Sequence, residues 1–245
     1  MGRLKSFARK IAFCAAIILL TPPIVLLGLA VLTSAPYVAA LAIRSFVVQP
    51  FTVPANSMYP TLETGDYIVT SKTAYGYKKF SVTFDLGPSP GLFLAPPRRG
   101  DVAIFRYPPD PSIDYVKRII GLPGDLVQMK GGRLYINSVQ MAREEVGPLP
   151  WGEDTGNGPL TGYRETLPGG KTHLIAEESD VSDSDDTLEI HVPEGHYFVL
   201  GDNRDNSADS RWDVGFVPEE NIYAKVVLAF SNSKDGKPGK AAWVE

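Results

Sequence analysis

One cysteine and three histidines in 245 residues exclude several common chemistries. Cys14 alone permits no intrachain disulfide and no cysteine-based metal site. A serine–histidine mechanism would have to use His173, His191 or His196, and no acid–histidine pattern surrounds any of them. Acidic residues are missing from the first 44 positions, which carry Arg3, Lys5, Arg9, Lys10 and Arg44. Charge of either sign is missing from residues 11–43, and no internal repeat is visible. The remaining 201 residues hold 19 Lys and Arg against 28 Asp and Glu, a balance of −9 that argues against nucleic-acid binding.

The uncharged run at 11–43 exceeds the roughly 20 apolar residues that span a bilayer as helix and is short for two passes. Pro22, Pro23 and Pro36 interrupt it. One transmembrane helix is expected. The apolar core of a cleaved leader is about 7–15 residues, much shorter than this run, and a buried core helix of this length would show a polar face. Four basic residues precede the run and Arg44 alone follows it closely. That bias puts the N-terminus in the cytoplasm and the acidic body on the outer face of the membrane. Residues 1–44 are thus read as cytoplasmic N-terminus plus anchor.

The body contains many of the 23 glycines and 21 prolines, which suit short strands and turns better than long helices. The expected fold is a mainly antiparallel β body. Strands are predicted at 46–53, 67–70, 101–107, 114–120, 191–192, 197–200 and 223–230, with a hairpin over 126–136. The catalytic core is read as 45–137 and 191–232, with 138–190 as an inserted acidic flap or subdomain and 233–245 as a C-terminal tail. The acidic run at 177–186 lacks calcium-loop spacing, so it reads as a solvated, mobile insert rather than a metal site. Residues 80–100 read as a surface loop whose Leu92-Phe93-Leu94 tip either touches lipid or packs on the body.

Ser57 lies in a turn-prone stretch, Pro54 to Pro60, flanked by β-prone runs. A hydroxyl held there is a candidate nucleophile, although serines in turns commonly bond their own backbone. Lys117 sits in a strand, on the opposite face from Val116 and Arg118. Two readings stay open for it. Buried, its ammonium form is disfavoured, and the neutral amine can take a proton from a serine. On an edge strand it would discourage aggregation instead.

Four stretches occur in order after the apolar run: PANSMYPTLETGD (54–66), RGDVAIF (99–105), YVKRIIGLPGD (115–125) and GDNRDNSADSR (201–211). Together they resemble the successive sequence boxes of bacterial type I signal peptidases. The resemblance covers 45–137, 193–230 and the anchor, but not the insert. It implies the Ser–Lys dyad family, with a signal-peptidase-like or LexA-like β fold and no cofactor or metal. It implies a membrane-bound serine endopeptidase of the bacterial inner membrane, cutting exported preproteins after A-x-A-like sites beside membrane lipid. By the same resemblance Ser57 is the nucleophile, its N–H an oxyanion donor, Lys117 the general base and Ser207 a hydroxyl that orients the lysine. Phe51, Val53, Met58, Leu62, Ile68 and Val116 match the shallow apolar subsites. Arg118, Asp209 and Arg211 match a structural ion network.

The chain departs from the pattern at Ala55, where many Gram-negative members have a serine that donates to the oxyanion, and at Asn56, where glycine is common. Losing one such donor costs about 10²–10³ in rate in other serine enzymes. Two alternatives accompany the main reading: a Ser–Lys protease specialised for a conjugation or pilus substrate, and a catalytically silent, anchored β binding module.

Overall fold

The computed structural model describes residues 34, 36–38, 48–76, 80, 95–150, 158–231 and 239–244. The expected membrane anchor and the Leu92-Phe93-Leu94 tip lie outside these, the anchor but for residues 34 and 36–38. Among the described residues no helix is long and apolar enough to cross a membrane. The chain divides after Ser45 into two compact units, and every named strand belongs to the second, Phe46–Glu245.

Strands follow one another closely. They are β1 (Val48–Thr52), β2 (Tyr67–Ser71), β3 (Val102–Tyr107), β4 (Asp110–Gly121), β5 (Leu126–Lys130), β6 (Arg133–Ile136) and β7 (Val139–Gln140). After these come β8 (Ala142–Leu149), β9 (Leu160–Thr166), β10 (Thr172–Glu177), β11 (Ile190–His191), β12 (His196–Leu200), β13 (Val217–Pro218), β14 (Ile222–Phe230) and β15 (Ala241–Trp243). The main sheet has the order β1-β2-β14-β3-β4-β12-β13, with β15 added on β14. A second sheet is β11-β5-β6-β7 and a third is β10-β9-β8. Every named ladder is antiparallel.

The main sheet is buried on both faces at its centre, and side-chain alternation shows how. From β3, Val102 and Ile104 join a cluster with Val53, Met58, Leu62 and Ile68. Ala103 and Phe105, on the opposite face, join Ile119, Val199 and Val217. β12 alternates likewise: Tyr197 and Val199 point to that second cluster, while Phe198 and Leu200 meet Val127, Met129 and Leu134 of the second sheet. The link from β4 to β5 is a tight turn in which Gly124 has φ +85°, a conformation that suits glycine. The Asp125 carboxylate closes this turn by accepting the Leu122 N–H at 2.6 Å.

Three sequence expectations are sharpened by the structure. The stretch 138–190 is not a single solvated flap. Its first residues form β7 on the second sheet, and 142–177 builds the three-stranded sheet β8–β10. The acidic run at 177–186 is pinned rather than loose: Glu177, Ser184 and Asp185 are buried. Arg143 pairs with Glu177 and Asp180, each at 2.8 Å. The Ser182 hydroxyl donates to Asp205 at 2.6 Å. Acidity suggested solvation, but here the Arg143 guanidinium meets Glu177 and the Ser182 N–H meets Asp185. The stretch read as a C-terminal tail likewise contributes β15, whose Ala241–Trp243 pairs with Leu228–Phe230.

Phe105 is fully enclosed between sheet layers. Phe105→Ala is expected to lower unfolding free energy by about 3–5 kcal/mol, read from denaturant titration. A loss below about 1 kcal/mol would contradict its place in the core.

Candidate active site

The turn after β1 is built to hold one geometry. A single 3₁₀ turn covers Asn56–Met58. The Val53 N–H donates to the Asp66 carbonyl and the Gly65 N–H to the Val53 carbonyl, each at 2.9 Å, so the loop closes on itself. The Asn56 side-chain oxygen accepts the Thr64 N–H at 2.7 Å. Met58 and Leu62 are wholly buried and anchor the turn from below. Ser57, between Asn56 and Met58, stays partly exposed.

β4 brings Lys117 to this turn. Its Nζ lies 2.7 Å from Ser57 Oγ and donates to the Val116 carbonyl at 3.0 Å. Only 3% of Lys117 is exposed. Burial pushes its amine down from 10.5 to about 8, against the pull of Asp209 and Asp202. Those two acids do not lie bare beside it. Asp202 makes a two-point pair with Arg118, Nε to Oδ1 at 2.8 Å and Nη2 to Oδ2 at 2.7 Å. Asp209 accepts Arg211 Nε and Nη2, each at 2.9 Å, and the Gly201 N–H at 3.1 Å. Their charge is spread into guanidinium groups, so desolvation prevails at the amine. An amine with one N–H on a carbonyl and a hydroxyl 2.7 Å away can turn its lone pair toward that hydroxyl.

The loop 201–211 closes the site from the other side. The Asn203 N–H donates to the Ser57 carbonyl and its Nδ2 to the Asn56 carbonyl, both at 3.2 Å. The Ser207 hydroxyl is buried without a hydrogen-bond partner among the described residues. The expected contact from Ser207 to Lys117 is therefore not formed. Arg118, Asp209 and Arg211 all take part in ion pairs behind the turn. Arg118 pairs with Asp202, not with Asp209, and Asp209–Arg211 is a separate pair.

A cleft of about 660 Å³ opens over the pair. Ala55, Ile113, Tyr115, Val116 and Ala208 give it apolar walls, and Thr64, Asp114 and Asn206 give it polar ones. Of the six expected subsite residues only Val116 lines this cleft. Val53, Met58, Leu62 and Ile68 are core residues, and Phe51 packs against them. Apolar residues near a nucleophile read equally as pocket or as core, and here most are core.

His173 is buried, with Nε2 at 3.4 Å from Glu165 and 4.0 Å from Asp202. Burial first and Arg118 second push its ring down to about 4, which keeps it neutral near pH 7. His191 and His196 are largely exposed or half-buried, and His196 Nδ1 lies 3.0 Å from the Glu194 carbonyl. Sequence reading missed Asp202, Asn203, Arg204 and Glu165. The first three lie inside the GDNRDN stretch, where nothing in the sequence tells one polar residue's role from another's.

Residues 26–231 match the family described as signal peptidase, peptidase S26. The chain belongs to that family. It is 43% identical over 204 residues to the signal peptidase I of Rickettsia canadensis, covering 80% of this chain and 76% of that one. It is 41% identical over 208 residues to the signal peptidase I of Pseudomonas aeruginosa, covering 80% and 69%. A crystal structure of a signal peptidase I from Enterococcus faecalis is similar at 30% identity and a TM-score of 0.32, covering 54% of this chain and 97% of that one. Membership of the peptidase family, with these relatives, makes this chain a serine endopeptidase.

Gly201 lies directly behind the Ser57 turn. A Cβ there would overlap the Ser207 side chain and the Ser57 carbonyl oxygen, and the carbonyl, being backbone, cannot swing away. Gly201→Ala is expected to fold and to lose about a hundredfold in peptide cleavage, because displacements near 1 Å cost that much. Unchanged turnover in a folded variant would contradict the packing at this position.

Proposed function

We propose that this chain removes N-terminal signal peptides from translocated preproteins, with Ser57 as nucleophile and Lys117 as general base. The observation that carries the reading is a buried amine at 2.7 Å from a partly exposed hydroxyl, both lining a cleft with apolar and polar walls. With an amine near 8, about a quarter is neutral at pH 7.5, against about one in a thousand for an ordinary lysine.

The neutral amine takes the Ser57 proton as Oγ bonds to the scissile carbonyl carbon. The negative charge moves to the carbonyl oxygen, where the Ser57 N–H is the proposed donor. Collapse breaks the C–N bond, and the Lys117 ammonium gives its proton to the departing amine. A water then attacks the acyl-enzyme with the same amine as base, and Ser57 recovers its proton as the signal peptide leaves. Small side chains suit walls made by Ala55, Val116 and Ala208, in keeping with A-x-A-like cleavage sites.

The apolar stretch 11–43 supports a single-pass anchor in the bacterial inner membrane with an outward-facing catalytic body. Thirteen residues separate Arg44 from Ser57, so the site lies within about 45 Å of the membrane surface. Kinship with signal peptidases I leaves the silent binding module without support.

Cleavage of a preprotein by the purified full chain in detergent tests this. Ser57→Ala and Lys117→Ala are each expected to lower cleavage at least about a thousandfold with the fold retained. Activity surviving in Lys117→Ala would remove the dyad. For the wild-type chain, kcat/KM is expected to rise with unit slope up to about pH 8 and level off above it, because only the deprotonated amine is a base. A profile flat down to about pH 5 would contradict this.

A further inference from the structure

The inserted sheet β8–β10 contacts the Ser57 turn from two sides. On one side the contact is apolar. Tyr59, two residues after Ser57 and 3% exposed, packs in one cluster with Leu160 of β9 and Ala176 of β10, and Leu149 of β8 joins them. The Tyr59 hydroxyl also donates to the Pro150 carbonyl at 2.7 Å.

On the other side the contact runs through the 201–211 loop. Ala176 and Asn203 form a parallel bridge. The Ala176 N–H donates to the Asp202 carbonyl and the Arg204 N–H to the Ala176 carbonyl, both at 2.9 Å. These bonds flank Asn203, the residue that holds the Ser57 and Asn56 carbonyls. Two backbone bonds alone would let the loop pivot about Ala176. A buried two-point pair prevents that. Arg204 Nη1 donates to Glu165 Oε1 at 3.0 Å and Nη2 donates to Glu165 Oε2. Each residue is 1% exposed. A planar guanidinium on a carboxylate fixes orientation as well as distance.

We propose that the inserted sheet positions the nucleophile: Glu165, through Arg204 and Asn203, and Tyr59 together hold the Ser57 turn at its working distance from Lys117. Glu165 and Tyr59 are positioning residues and touch neither substrate nor the reacting atoms. This inference rests on the Ser57–Lys117 reading. It also gives the insert a task that composition alone did not suggest. A turn free to shift would still bind a preprotein in the cleft but would reach the reactive geometry less often. The loss then falls on kcat and not on KM.

The test is steady-state cleavage of a preprotein by the full chain in detergent, alongside thermal unfolding. Glu165→Gln and Tyr59→Phe are each expected to fold, to keep KM within about twofold, and to lose between about tenfold and a hundredfold in kcat. Should Glu165→Gln fail to fold, the apolar pair Glu165→Leu with Arg204→Met removes both buried charges together, a change that buried pairs commonly tolerate. That variant is expected to show the same fall in kcat. A lower melting temperature with wild-type kcat in the folded protein would overturn the proposal, leaving the sheet a merely structural support. A raised KM with unchanged kcat would overturn it too, because the sheet would then be holding substrate. Ser57→Ala and Lys117→Ala in the same assay report on the dyad separately. If they are inactive while Glu165→Gln keeps wild-type kcat, the positioning role fails and the dyad stands.

Discussion

The desolvation of one amine underlies this structure. Lys117 reaches Ser57 from a central strand, with water excluded and a ring face of Tyr115 at 5.3 Å from its nitrogen. Acidic neighbours would ordinarily restore the proton that burial removes. The protein answers by giving each nearby acid a guanidinium: Arg118 for Asp202 and Arg211 for Asp209. Neither pair lines the cleft, and burial outweighs both acids at the Lys117 amine. Removing one guanidinium would leave a bare carboxylate whose field favours the ammonium form.

The fold serves the same contact. Ser57 and Lys117 are 60 positions apart, and neither β1–β2 nor β3–β4 alone brings them together. Pairing of β14 with both β2 and β3 joins the two hairpins into one sheet. The loop after β12 then closes over the join, with Asn203 on the Ser57 turn and Asp202 on Arg118. Glycine at 201 permits that approach, since any side chain there would press on Ser57.

Sequence reading recovered what is local. β5 and β6 were legible as a hairpin because a Gly-Gly turn separates two apolar runs. Ser57 and Lys117, which the fold brings to 2.7 Å, each sit within a contiguous stretch of distinctive residues. The long-range pairs were not legible. Arg118 and Asp202 are 84 positions apart, and Arg204 and Glu165 are 39 apart, so neither partner marks the other. The insert misleads for a related reason. The insert is polar and acidic in composition, but Glu165 within it is buried against Arg204. Polarity at a buried position signals solvent only when no partner is at hand. The subsites fared worst: Met58, Leu62 and Ile68 are apolar residues near a nucleophile, and the tertiary packing assigned them to the core instead of the cleft.

Titration of the Lys117 amine in the folded protein tests the account most directly. Lysine labelled with carbon-13 at Cε, with Lys117→Arg as the assignment control, follows the proton at this one nitrogen. A midpoint at about pH 8 is expected. A midpoint near 10.5, the value of an ordinary lysine, would show that the amine is charged when cleavage must occur and would contradict the account.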